Sequence, residues 1–121
     1  MFYKWEITYK VIGCAMNVHK ELWCGFQEVI YQRALALEFR KIWLKFERER
    51  TMEVMYKWAK IGTRRVDFLV DEDIMVELKA TTKIEEVNKA QLINYIEAYG
   101  VKIWLLINFW KKELEYYRFI K

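Results

Sequence analysis

Apolar residues recur at helical spacing from residue 6 to 22, where Val11, Ile12, Ala15, Val18, His19 and Leu22 fall on one side. Gly25 breaks the run. Residues 26–42 predict a second helix, with Val29, Ile30, Ala34, Leu37 and Lys41 near one side. From Lys45 the period changes to two, and KFERERTMEVMYK alternates as a half-buried strand does, with a kink expected near Thr51. IGTRRVDFLV and IMVELKA read as two further strands. IEEVNKAQLINYIEAYG reads as a helix ending at Gly100, VKIWLLINF as a buried strand and LEYYRFIK as an edge-like strand. The predicted order is ααβββαββ, an α/β fold with a mixed central sheet flanked by helices.

The stretch RRVDFLVDEDIMVELKA, residues 64–80, departs from simple alternation. Each of its two apolar runs carries an acid, and charges inside buried strands are costly unless paired or holding a metal. A three-residue turn, Asp71-Glu72-Asp73, pairs Val70 with Ile74, Phe68 with Val76 and Val66 with Leu78. That register gives one uniform apolar face, whereas a two-residue turn mixes apolar and polar residues on both faces. It sets Asp67 opposite Glu77 and Arg65 opposite Lys79, with directly opposed Cβ atoms ~4.5–5.5 Å apart. Two carboxylates at that separation repel unless a cation joins them, and oxygen ligands suit a hard divalent ion. On a solvated face the same acids would instead pair with Arg65, Lys79 and other cations.

Two further features bear on that choice. The last helix has an inward stripe through Ile84, Val87, Asn88, Gln91, Leu92, Tyr95 and Ile96, and a glutamine on an apolar stripe needs partners. In GFQEVIYQ, residues 25–32, Glu28 and Tyr31 share one helix face. A helix-borne acid would complete a divalent site; a helix-start glutamate is also favoured by the macrodipole alone.

Composition narrows the setting. A chain of 121 residues, 55% hydrophobic and 17% aromatic, fits one folded domain over residues 1–121. No apolar run reaches the length of a membrane span, and MFYKWEITYK lacks the apolar core of a signal peptide. A cytoplasmic location is the default. Cys14 and Cys24 form no metal-type pair with each other or with His19, the single histidine, and read as free thiols. His19 lies in a helix stripe and reads as a packed residue, which leaves no histidine for nucleophilic or nuclease chemistry. The net charge of +4 weakly favours polyanionic partners. Among the six tryptophans, Trp23, Trp58 and Trp110 could form an exposed interface.

Taken together, these residues resemble a known family. The block Gly25-Phe-Gln-Glu28-Val-Ile-Tyr31-Gln32 is similar to the motif that names the GxxExxY proteins, a branch of the PD-(D/E)XK phosphodiesterase superfamily. Val66-Asp67 followed by Glu77-Leu78-Lys79 resembles the superfamily core, and Gln91-Leu-Ile-Asn-Tyr95 resembles the Q-x-x-x-Y motif of its exonuclease-like branch. The chain departs from the pattern in having Trp23-Cys24-Gly25 where the family commonly has a Gly-Pro-Gly-like turn, and Val66 where the superfamily name has proline.

The resemblance implies a restriction-endonuclease-like core. Asp67 and Glu77 would ligate Mg²⁺, with Mn²⁺ as a substitute, the Leu78 carbonyl as a further ligand and Glu28 as the helix-borne acid. Lys79 would assist water attack, Gln91 would support the catalytic set, and Tyr31, Arg65 and Tyr95 would face substrate. The expected activity is metal-dependent hydrolysis of a nucleic-acid phosphodiester, with DNA favoured, and a homodimer is left open. The rival is a non-catalytic nucleic-acid-binding or protein-interaction module that keeps the fold.

Overall fold

The computed structural model describes residues 4–87, 89–90 and 100–120. Two helices, α1 (Trp5–Leu22) and α2 (Glu28–Lys41), precede five strands: β1 (Phe46–Tyr56), β2 (Ala59–Val70), β3 (Ile74–Lys79), β4 (Ile103–Asn108) and β5 (Glu115–Ile120). The strands form one sheet in chain order. Only β3 and β4 pair in parallel, so the sheet is mixed as expected. Residues 86–87 and 89–90 are helical, at the start of the predicted third helix. The rest of that helix, including Gln91 and Tyr95, lies outside the described residues.

Both faces of the sheet centre are covered, and β3 and β4 are accordingly almost continuous apolar runs. On one face, Val11, Ala15 and Val18 of α1 and Tyr31, Leu35 and Phe39 of α2 pack on Phe68, Val76, Leu78 and Leu105. On the other, Leu69, Met75, Trp104 and Leu106 gather with Val66, Ile84 and Val101. No helix among the described residues is long and apolar enough to cross a membrane.

The inward face of α2 differs from the expected stripe. Tyr31, Gln32, Leu35, Ala36 and Phe39 are buried, while Val29 and Leu37 are exposed. Helical period fixes the spacing of a stripe but not its phase, and here the aromatic rings set the phase. Tyr31 stacks on Phe109 at 4.4 Å, and Phe39 meets Phe46 and Phe68 edge-on.

The β2–β3 turn adopts the three-residue form, with Asp71 and Glu72 at positive φ. Lys4 spans it, with Nζ 2.7 Å from Asp71 and 2.9 Å from Asp73. The ladder pairs Val70 with Ile74, Leu69 with Met75 and Phe68 with Val76, then stops. In β1, Glu49 turns to φ +55°, and the Glu49–Asp67 pair is missing from the β1–β2 ladder. Strand alternation is lost at that point. Val66 therefore joins the Leu69–Met75 cluster instead of sharing the face of Phe68 and Val70. The irregularity expected near Thr51 is flanked by the positive φ of Glu49 on one side and a register shift between Val54 and Met55 on the other.

Candidate functional site

Where the β2–β3 ladder ends, side chains replace backbone pairing. The Leu78 N–H donates to Oδ2 of Asp67 at 2.8 Å, and the Asp67 N–H donates to Oε1 of Glu77 at 3.2 Å. The two acids are thus cross-tied, each to the other's strand. The expected juxtaposition of Asp67 and Glu77 is present, held by these bonds and not by a continued ladder.

Among the described residues each carboxylate has one further side-chain partner. Gln32 of α2 donates from Nε2 to Oδ1 of Asp67 at 2.7 Å. Arg64 donates from Nη2 to Oε2 of Glu77 at 3.1 Å. Arg65, expected opposite Lys79, instead pairs with Glu49 at 3.7 Å on the exposed side of the hairpin. The broken alternation at Asp67 brings Arg64, and not Arg65, to the acid pair.

Glu77 is 5% exposed. Burial, and next the charge of Asp67, push its carboxyl up to about 7, against the opposing pull of Arg64, the Asp67 N–H and Lys79. Glu28 is also raised, first by desolvation and then by Asp67, while Lys79 lowers it. The charges of Asp67 and Lys79 thus bear on both Glu28 and Glu77. Glu28 opens α2 and lines an open groove of ≈ 580 Å³ together with Gly25, Ala80 and Trp110. That groove lies at the ends of β3 and β4.

The loop that aims Glu28 is fixed from below. Gly25 adopts φ +112°, a conformation that glycine takes without strain. Tyr31, expected to face substrate, is completely buried. Its hydroxyl donates to the Trp23 carbonyl at 2.6 Å and accepts from the Phe26 N–H at 3.3 Å. The glycine and tyrosine of the G-x-x-E-x-x-Y spacing thus shape the turn, and the glutamate is what that turn presents.

The end of β3 is held in a similar way. Phe109 donates its N–H to the Lys79 carbonyl at 2.9 Å. Asn108, fully buried, accepts from the Thr81 and Trp110 N–H groups and donates to the Thr81 carbonyl and Glu115. His19 is packed, as expected, with Nε2 2.7 Å from the Lys111 carbonyl.

Arg64 and Gln32 are not among the site residues expected from the sequence. Unbroken alternation would bring Arg65, not Arg64, to the acid pair, whereas Arg64 is the one that reaches Glu77. Gln32 carried a usable signal: it is a glutamine on the stripe of Tyr31, Leu35 and Phe39, the same argument applied to Gln91.

Among the described residues no three His, Cys, Asp or Glu side chains form a ready-made cage for a metal ion. The donor set still fits a hard divalent cation of the Mg²⁺ kind, which binds through one or two carboxylates and keeps several waters. The carboxylates of Asp67 and Glu77, cross-tied through the Leu78 and Asp67 N–H groups, present neighbouring oxygen donors. The buried Oε1 of Gln32 has no partner among the described residues, leaving an acceptor next to the pair.

Comparison with known proteins agrees with this layout. The family model described as the PD-(D/E)XK nuclease superfamily matches residues 5–119. Among solved structures, the crystal structure of SSO0001 is similar with a TM-score of 0.57 and 17% identity, over 76% of this chain and 48% of that one. The chain thus spans about half the length of that relative, and the likeness concerns the fold. No curated protein matches. A mixed five-stranded sheet with two helices on one face is the restriction-endonuclease-like arrangement, and with the family model covering nearly the whole chain, the chain belongs to the PD-(D/E)XK nuclease superfamily.

Proposed function

We propose that the protein is a metal-dependent nuclease of the GxxExxY branch that hydrolyses nucleic-acid phosphodiester bonds, with DNA favoured. The observation that carries this reading is the cross-tied pair of Asp67 and Glu77, electrostatically joined to Lys79 and Glu28. Asp67 and Glu77 would hold Mg²⁺ or Mn²⁺, with the Leu78 carbonyl and Glu28 as further oxygen donors. A bound divalent ion supplies an acidified water and takes up charge from the phosphate.

The chain's own groups do the rest. Gln32 and the Leu78 N–H fix the rotamer of Asp67, and Arg64 fixes that of Glu77. The Lys79 ammonium, on the strand that carries Glu77, orients the attacking water and offsets phosphate charge. Tyr31 holds the turn that aims Glu28. Gln91 and Tyr95 retain the supporting and substrate-facing roles that their motif implies, and Arg65 a phosphate-facing one. With Cys14 and Cys24 both free, the reading assumes a reducing, cytoplasmic setting.

One observation favours a second reading. Arg64 already neutralises part of the charge on Glu77, which a binding module without metal would need. A cleavage assay on single-stranded, duplex and branched DNA and RNA, in Mg²⁺, Mn²⁺ and chelator, tests the proposal. Metal-dependent product on any of these supports hydrolysis. Its absence from all, together with a melting temperature indifferent to millimolar Mn²⁺, supports the binding module.

A further inference from the structure

Beyond its last pairing with β3, the β1–β2 hairpin continues as a two-stranded arm. The β2–β3 ladder ends at Phe68, while β1 and β2 stay paired out to Tyr56 and Ala59. At ~3.4 Å per residue, the β2 segment from Asp67 back to Ala59 reaches roughly 30 Å. Every residue from Met55 to Ile61 is exposed, including Tyr56, Trp58 at 87% and Ile61 at 64%.

The arm holds the chain's charge imbalance. Residues 48–65 contain six of the 21 Lys and Arg and two of the 17 Asp and Glu, so they carry the whole net charge of +4 and the remainder is balanced. Several of these cations make local contacts. Arg50 pairs with Glu47, Lys60 with Glu53 at 3.6 Å and Arg65 with Glu49 at 3.7 Å, and Lys57 lies over the Tyr56 ring. Exposed pairs of this kind are weak and exchange readily for phosphate partners. The arm also leaves the body of the protein at Asp67 itself, and its base is tied to Glu77 through Arg64.

We infer that this arm is a docking element for duplex DNA, which it holds against the strand end bearing Asp67 and Glu77; the inference builds on the nuclease reading. A two-stranded ribbon fits the major groove of B-form DNA, ~12 Å wide. Lys57, Lys60, Arg48 and Arg65 meet the phosphates, and the apolar tip of Tyr56, Trp58 and Ile61 meets base edges. The deep, narrow major groove of A-form RNA does not admit such a ribbon. Lysine and arginine contacts of this sort make affinity fall with salt in proportion to their number.

The test is anisotropy binding of labelled duplex DNA in chelator, across a salt series, with the full chain and two variants. One variant is Lys57→Glu with Lys60→Glu, and the other is Trp58→Ala. All three side chains are at the exposed end of the hairpin, so the melting temperature should be retained. The charge variant should bind about tenfold or more weakly at ~0.1 M salt, with a salt slope reduced by about two. Trp58→Ala should weaken binding with the slope unchanged. Unchanged affinity and slope in the charge variant would overturn the inference. So would equal affinity for duplex RNA, no binding of duplex by the wild-type chain, or a loss of self-association in the variants with DNA binding intact. Cleavage in Mn²⁺ is read separately. Arm-dependent binding without cleavage sinks the nuclease reading and leaves the arm standing, and cleavage with arm-independent binding does the reverse.

Discussion

Gln32 donates from Nε2 to Oδ1 of Asp67 at 2.7 Å, from a position only 5% exposed. The bond crosses from helix to strand and joins two segments 35 residues apart. It fixes one oxygen of Asp67 while the Leu78 N–H fixes the other. Outer-shell partners of this kind are worth ~10–100-fold in metal affinity or activity when removed. Gln32→Leu should therefore lower Mn²⁺ affinity or turnover by that order, with KM for DNA nearly unchanged. Gln32→Glu should do more harm, because it sets a third carboxylate against Asp67. Calorimetric titration of Mn²⁺ beside steady-state kinetics reads both, and a variant affecting KM alone would remove Gln32 from this role.

Glu77 predicts a pH signature in the metal-free protein. Its folded carboxyl titrates at about 7, against 4.5 when free of the fold. The folded state then binds this proton more tightly than the unfolded chain does. The stability this proton contributes is fully present below about pH 4.5, is lost progressively between about 4.5 and 7, by up to ~3 kcal/mol in all, and the profile levels off above that. Urea unfolding in chelator should show that decline, and Glu77→Gln should flatten it. A profile identical in the variant would contradict the assignment.

Tyr31 lies beneath the site and acts on it through the turn. Tyr31→Phe removes the hydroxyl that binds the Trp23 carbonyl and the Phe26 N–H, both within the loop that leads to Glu28. It should cost ~1 kcal/mol for the lost hydrogen bonding. Turnover should fall further than stability explains, because Glu28 is no longer held in place. Denaturant midpoints and cleavage rates on the same samples check this, and full activity would make the hydroxyl purely structural.

The parts of this arrangement that depend on local pattern were legible in the sequence. IMVEL and IWLLIN are apolar on both faces, which places them at the sheet centre. The three-residue turn was the one register that gave Phe68 and Val70 a uniform face, and the structure pairs Phe68 with Val76 and Val70 with Ile74. What depends on neighbouring strands was not legible. Glu49 of β1 has positive φ at the level of Asp67 in β2, Val66 lies in the other core from Phe68 and Val70, and Arg64 reaches Glu77. The phase of α2 was equally open, since the residues spaced from Val29 and those spaced from Tyr31 both satisfy helical period. Packing of Tyr31 on Phe109 and of Phe39 on Phe68 decided it.

Lys79 separates electrostatic assistance from metal binding. Its ammonium acts on both Glu28 and Glu77 without being a ligand. Lys79→Met should suppress turnover by about 100-fold or more, a range typical of a lost electrostatic donor, and leave Mn²⁺ affinity within a few fold. A large loss of metal binding with little change in rate would reverse the roles.

If the cross-tied Asp67–Glu77 pair is the centre of phosphodiester hydrolysis, cleavage must depend on Glu77. The most direct measurement is the rate of cleavage of labelled DNA in Mn²⁺ by the wild-type chain and by Glu77→Gln, side by side, with melting temperatures recorded. Wild-type cleavage should be abolished by chelator, and the variant should be folded with a rate at background. Undiminished cleavage by Glu77→Gln would contradict that dependence.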